Sequence, residues 1–172
     1  MTNHFERLGL PRRFSTDAAE LERLYLARSR EVHPDFHTLG TDAERADSLT
    51  ATAAVNEAYI ALKDPFRRAE YMLGLLGGPT AVAHKDMPQA FLMEMMEIRE
   101  QIEETKSTGN TLEMERIERE LTARFQTIIE RVGGMLDHPL TDDLTSRLIV
   151  IRKELNAAKV LRSLLRDLNE RD

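Results

Sequence analysis

Three consecutive residues, His33-Pro34-Asp35, set an imidazole and a carboxylate on either side of a residue that fixes the backbone, and His37 follows two positions later. An imidazole beside a carboxylate can bind a metal, move a proton, or be recognised by another protein's charged surface. The first use lacks ligands: no HExxH pattern and no second ligand cluster accompanies these residues, so no metal site is expected. The second lacks company. The sequence has no GxSxG, no phosphate-cradling glycine loop and no nucleophile beside an obvious base, so neither an enzyme nor a cofactor is expected. Recognition remains. Pro34 has no backbone donor and pushes His33 toward extended backbone, so a helix arriving from upstream must end here and leave the tripeptide on a loop.

Helices must hold that loop. Thr16 or Asp17 can cap the upstream helix, with Glu20 in capping-box spacing to Asp17, and Leu21, Leu24, Tyr25 and Val32 fall near one face. Arg23 and Arg30, seven apart, share another face, which is either solvated or a surface for an acidic partner. Downstream, residues 41–62 again read as a helix, with Leu49, Ala53, Asn56, Tyr59 and Ile60 as its expected stripe, lying antiparallel to the first in a hairpin. A short helix from Asn3 to Leu8, closed by Gly9, precedes the pair. Another starts at Asp64-Pro65 and ends at Gly77-Gly78-Pro79. The mixed turn formers of 79–87 read as a linker.

Residues 88–172 read as three amphipathic helices, hence a three-helix bundle. Phe91, Met95, Ile98 and Ile102 mark the first core stripe; Ile117, Leu121, Phe125, Ile128 and Val132 the second; Leu144, Leu148, Ile151, Leu155, Ala158, Leu161, Leu165 and Leu168 the third. Gly133-Gly134 is expected to weaken the end of the second helix. At about 100° per residue, Leu92, Met93, Met96, Glu97, Glu100 and Glu104 form a second face on the first helix, away from Phe91 and Ile98. That face is half apolar and half acidic. Read from periodicity alone, it either packs on the rest of the chain or meets a partner.

Composition narrows the partner class. A net charge of −6, from 30 acidic and 24 basic residues, argues against a broad basic face for nucleic acid. The absence of cysteine removes disulfides, thiol nucleophiles and thiolate-held clusters. No run of about 18 apolar residues suggests a membrane span, and the first residues resemble neither a signal nor a transit segment, so a cytoplasmic location is expected.

His33-Pro34-Asp35 does not stand alone. Tyr25 lies before it; Asn56-Glu57-Ala58-Tyr59, Leu62, Asp64-Pro65 and Arg68-Ala69-Glu70-Tyr71 follow it. Together these resemble the J domain, the helical hairpin with which co-chaperones stimulate the ATPase of DnaK-type chaperones. The Arg-Ala-Glu-Tyr ending, with Phe91-Leu92-Met93-Glu94 further on, resembles more narrowly the HscB family, co-chaperones of iron–sulfur cluster assembly. The resemblance covers nearly the whole chain.

It implies an all-α protein with a J domain at 1–78, a linker at 79–87 and a C-terminal bundle at 88–172. It further implies that His33, Pro34, Asp35, Tyr25, Arg23 and Arg30 meet a DnaK/HscA-type chaperone. Leu92, Met93, Met96, Glu97, Glu100 and Glu104 would bind an IscU-like cluster scaffold. Two departures stand out: Arg28, where the family usually has an apolar residue, and Ala157, where it tends to have an aromatic. The rival readings are a J-domain protein serving another client and a helical adaptor without chaperone activity.

Overall fold

The structure, a computed structural model, describes residues 2–33, 41–138 and 143–170. All its regular elements among these residues are helices: α1 (His4–Leu8), α2 (Ala18–Val32), α3 (Asp42–Lys63), α4 (Pro65–Leu75), α5 (Gln89–Thr108), α6 (Thr111–Asp137) and α7 (Leu144–Asn169). The chain divides into two compact units, Met1–Tyr71 and Met72–Asp172, the division falling within the sequence of α4.

Local chemistry sets the ends of the helices in the first unit. The Asn3 side chain accepts from the Glu6 amide while the Glu6 carboxylate accepts from the Asn3 amide, and Asp17 accepts from the Glu20 amide at 2.7 Å. Thr41 and Glu44 cap α3 in the same reciprocal way. Each such cap satisfies amides that a helix's first turn leaves without partners. At the other end of α1, Gly9 takes φ 73°, and the Gly9 and Leu10 amides donate back to the Glu6 and Phe5 carbonyls.

Helices α2 and α3 are antiparallel: Val32 lies against Ser48 and Thr52, while Tyr25 lies against Asn56 and Tyr59. The buried residues of this unit include Phe5, Leu8, Leu10, Leu21, Val55, Ala58, Leu62 and Ala69. The stripe expected on α3 needs correction. Leu49 is 60 % and Ile60 54 % exposed, and Ala53 is exposed too; the buried face is Ser48, Val55, Ala58 and Leu62, roughly 140° around the helix. Alanines surround α3 on most sides, so several stripes satisfy helical spacing and the packing partner selects one. Arg28 points outward and pairs with Glu31 at 2.7 Å.

In the second unit, Met95, Ile102, Ile117, Leu121, Leu161, Leu164 and Leu168 form one buried cluster, with Phe91, Ile98, Phe125 and Ile128 packed on it. The direction of α6 reverses that of α7, since Arg131 reaches Glu154 at 2.9 Å while Glu118 reaches Asn169 at 3.4 Å. Gly109, at φ 64°, ends α5, and the next residue, Asn110, caps α6 by accepting from the Glu113 amide. The end of α6, where Gly133-Gly134 is expected to weaken the helix, continues through both glycines to Asp137; Val132, Gly133 and Leu136 are buried there, so tertiary packing outweighs the glycines' poor propensity.

The stretch expected as a linker is tied down within the second unit. The buried Arg152 donates to the Pro79 carbonyl and the buried Asn156 to the His84 carbonyl, each at 2.8 Å. These two α7 side chains lie one turn apart and satisfy carbonyls that an irregular segment would otherwise leave to water.

Candidate functional site

The expected chaperone-facing residues are held in different ways. His33 ends α2 with φ −65° and ψ 133°, the extended conformation that a following proline demands, and its amide donates to the Arg30 carbonyl at 3.4 Å. Pro34 and Asp35, like His37, lie outside the described residues. Arg23 and Arg30 are exposed and form no ion pair among the described residues, leaving two cations on the outer side of α2. Tyr25 is built into the hairpin: its hydroxyl donates to Asn56 Oδ1 at 3.0 Å and its ring stacks on Tyr59 with centroids 4.0 Å apart. Its ring is therefore part of what holds the two helices in register.

Two residues missed at the sequence level also meet here. Ser48 Oγ and Thr52 Oγ1 both donate to the Val32 carbonyl, at 2.6 and 3.0 Å. Only the loop end of α2 beside α3 makes this visible; in sequence they are ordinary helix hydroxyls.

On α5, all six residues of the second face are exposed. Leu92 is 40 %, Met93 57 % and Met96 65 % exposed, far from the burial of Met95, in the same turn, at 4 %. Glu97, Glu100 and Glu104 accompany them without an ion pair among the described residues. Neighbouring Glu94 differs, since it binds Arg124 at 2.6 Å and holds that guanidinium's pKa above its ordinary value. Leu92 and Met96 also border a shallow cleft of about 280 Å³, completed by Met95, Arg99 and the α7 residues Val160 and Leu164. Val160, half-buried, extends the apolar surface beyond the six expected residues, and the buried Leu164 lines the cleft beside it. Their signal was faint, because Leu164 reads as core and Val160 as a lone apolar residue beside the α7 stripe.

Ala157 does not line that cleft. It borders a larger groove of about 620 Å³ with Phe91, Ile128, Val150 and Leu161, where Arg131 is held by Glu154. Among the described residues, no three His, Asp or Glu side chains are grouped to hold a metal ion. Nor is any described helix long and apolar enough to cross a membrane.

A family model described as the HSCB C-terminal oligomerisation domain matches residues 87–165. A co-chaperone protein HscB homolog of Burkholderia multivorans is 35 % identical over 136 residues, which is 78 % of this chain and 78 % of the relative. The chain belongs to the HscB co-chaperone family. A further HscB homolog, from Ralstonia nicotianae, is 33 % identical over 87 % of this chain and 88 % of its own length.

Among solved structures, chaperone HscB from Vibrio cholerae superposes with a TM-score of 0.83 at 28 % identity, covering 96 % of this chain and 94 % of that one. Human co-chaperone protein HscB gives 0.82 at 26 %, covering 96 % and 80 %. The fold is that of the HscB family: all-helical, a J domain followed by a C-terminal helical bundle. The resemblance drawn from His33-Pro34-Asp35 and its companions is thereby the family found.

Proposed function

We propose that this HscB-family chain brings an IscU-like iron–sulfur scaffold to a DnaK/HscA-type chaperone in the cytoplasm and stimulates that chaperone's ATP hydrolysis. The J domain, taken as residues 1–78, meets the chaperone through His33, Pro34, Asp35 and the Arg23 and Arg30 face, with Tyr25 supporting the hairpin. The bundle, taken as 88–172, meets the scaffold through Leu92, Met93, Met96, Glu97, Glu100 and Glu104; residues 79–87 follow the J domain in sequence and are held to α7 by Arg152 and Asn156. The observation that carries this reading is the exposed apolar and acidic face of α5 in a chain of this family.

The mechanism asked of the tip is differential binding. The chain needs only to bind the chaperone's hydrolysing, client-clamping conformation better than the alternatives. His33 and Asp35 are then recognition groups and Pro34 fixes the turn. On α5, burying Leu92, Met93 and Met96 contributes at most roughly 1.5–3 kcal/mol each before association costs, while micromolar binding needs about 8 kcal/mol net. Apolar burial alone falls short, so the unpaired carboxylates must find basic partners on the scaffold.

Steady-state ATP hydrolysis by a purified DnaK/HscA-type chaperone, with this chain and with or without scaffold, tests the reading. Stimulation by the chain alone and further stimulation with scaffold are expected. Stimulation without any response to scaffold would point to a J-domain protein for another client; no stimulation would leave a helical adaptor.

A further inference from the structure

We infer that Ser48 and Thr52 are positioning residues: together they latch the last carbonyl of α2 to α3 and thereby set how His33 is presented to the chaperone. The inference rests on the co-chaperone reading and names residues that act behind its recognition tip. A continued helix would have given the Val32 carbonyl an amide four residues on, but α2 ends at Val32. Two hydroxyls from the neighbouring helix take that amide's place, Ser48 Oγ at 2.6 Å and Thr52 Oγ1 at 3.0 Å. A carbonyl has two lone pairs, and both are engaged.

The choice of acceptor separates these hydroxyls from ordinary helical ones. A hydroxyl has one proton to donate. Exposed Thr50 gives its proton to the Ala46 carbonyl and Thr127 to the Ala123 carbonyl, each at 2.9 Å and each four residues back in its own helix. Thr52 gives its proton across to α2 instead, and Ser48, one turn earlier on the same side, does likewise. Ser48 is also the one buried polar side chain described on α3. The Val32 carbonyl and the His33 amide belong to one planar peptide, so fixing the carbonyl fixes the start of His33. His33 itself has ψ 133°, outside helical backbone, and its amide donates to the Arg30 carbonyl at 3.4 Å. Without the latch, that peptide plane loses both hydrogen bonds on its carbonyl side, and the imidazole is presented over a wider range.

The test uses the full chain, comparing the double variant Ser48→Ala/Thr52→Val with Thr52→Ser, which keeps the hydroxyl, and with Val55→Ala, which truncates another buried side chain of α3 and touches neither hydroxyl of the latch. All are assayed below their melting transitions for the concentration giving half-maximal ATPase stimulation, and by NMR for the His33 amide and imidazole resonances. The double variant should raise the half-maximal concentration roughly three- to tenfold, the scale of one or two lost hydrogen bonds, and shift or broaden the His33 signals. Thr52→Ser should match the parent, and Val55→Ala should lower the melting temperature without moving either readout. A double variant equal to the parent, or a Val55→Ala effect of equal size, overturns the latch. If the parent itself fails to stimulate, the co-chaperone reading falls, and the His33 spectrum alone decides whether the latch exists.

Discussion

At the end of α2 the last carbonyl is bound by two hydroxyls of another helix, whereas on α5 three exposed apolar side chains and three carboxylates stand without ion-pair partners among the described residues. The first surface is stiffened from behind: Tyr25 stacks on Tyr59 and binds Asn56, and Ser48 and Thr52 hold Val32. The second is stiff only in its backbone. Its outer side chains include two methionines, whose several rotamers can fit more than one partner shape. Under the proposed role, the difference suits two kinds of recognition. A small charged tip that must select one conformation of a partner gains from a fixed geometry. A broad face that holds a client gains from adaptability, with the acids guiding encounter.

The largest effect should come from the stiff side. His33→Gln or Asp35→Asn should abolish chaperone stimulation in the ATPase assay while circular dichroism finds the melting temperature almost unchanged, because His33 does not belong to the buried set and Asp35→Asn exchanges side chains of nearly the same shape. Retained stimulation would remove the functional half of the comparison.

Next comes the adaptable face. Leu92→Ala with Met96→Ala should weaken scaffold binding at least about tenfold at any salt concentration, read by titration calorimetry, since truncating central apolar contacts acts on dissociation. Stimulation by the chain alone should persist and only the scaffold-dependent increment should fall. Unaltered binding would mean that this face has another use.

A smaller effect is expected from Glu97→Gln with Glu100→Gln, seen in stopped-flow association. Binding should slow several-fold at low salt and approach the parent's rate as screening shortens the reach of the charges. A deficit that persists at high salt would place these carboxylates in direct, desolvated contact.

The smallest effect separates the two units by pH. Burial holds the His4 imidazole below its ordinary 6.5, more than Glu57 raises it, with Arg7 lowering it further. The ring stacks on Tyr71 at 4.2 Å, and its Nδ1 is buried without a hydrogen-bond partner. The unfolded chain therefore binds this proton more readily, so the stability gained from a neutral His4 is present above pH 6.5 and is lost as pH falls through the folded-state pKa. In the second unit, the hydrogen bond from Arg116 holds Glu113 below its ordinary 4.5, and that contribution is lost only as pH falls below this value. Hydrogen exchange should thus show α1 and α3 amides losing protection between pH 6.5 and 4.5 before those of α6. His4→Phe should keep the stack and flatten the early loss; an unchanged profile would assign it elsewhere.

Much of this was legible because the signals are local. The capping side chains Asn3, Asp17 and Thr41 bind amides three residues away, so spacing alone locates those helix starts. Gly9 and Gly109 mark helix ends because their left-handed backbone suits a residue without Cβ. The apolar set of α5 and its opposite face were also readable, since Met95 and Ile102 are buried while Leu92, Met93 and Met96 are exposed. The joint pattern around His33-Pro34-Asp35 pointed to the family that the relatives bear out.

What tertiary structure decided concerns groups whose partners lie far along the chain. The alanines of α3 allow more than one inward face, and only the packed helices choose Val55, Ala58 and Leu62 over Leu49 and Ile60. Gly133 and Gly134 have a helix-breaking propensity that burial overrides. Residues 79–87 have the composition of a linker, yet Arg152 and Asn156, more than 70 positions on, hold two of the carbonyls there. Ser48 and Thr52 follow the same rule: a hydroxyl's acceptor is settled by whichever carbonyl lacks an amide nearby, and the carbonyl of Val32 comes within reach only once α2 and α3 lie side by side.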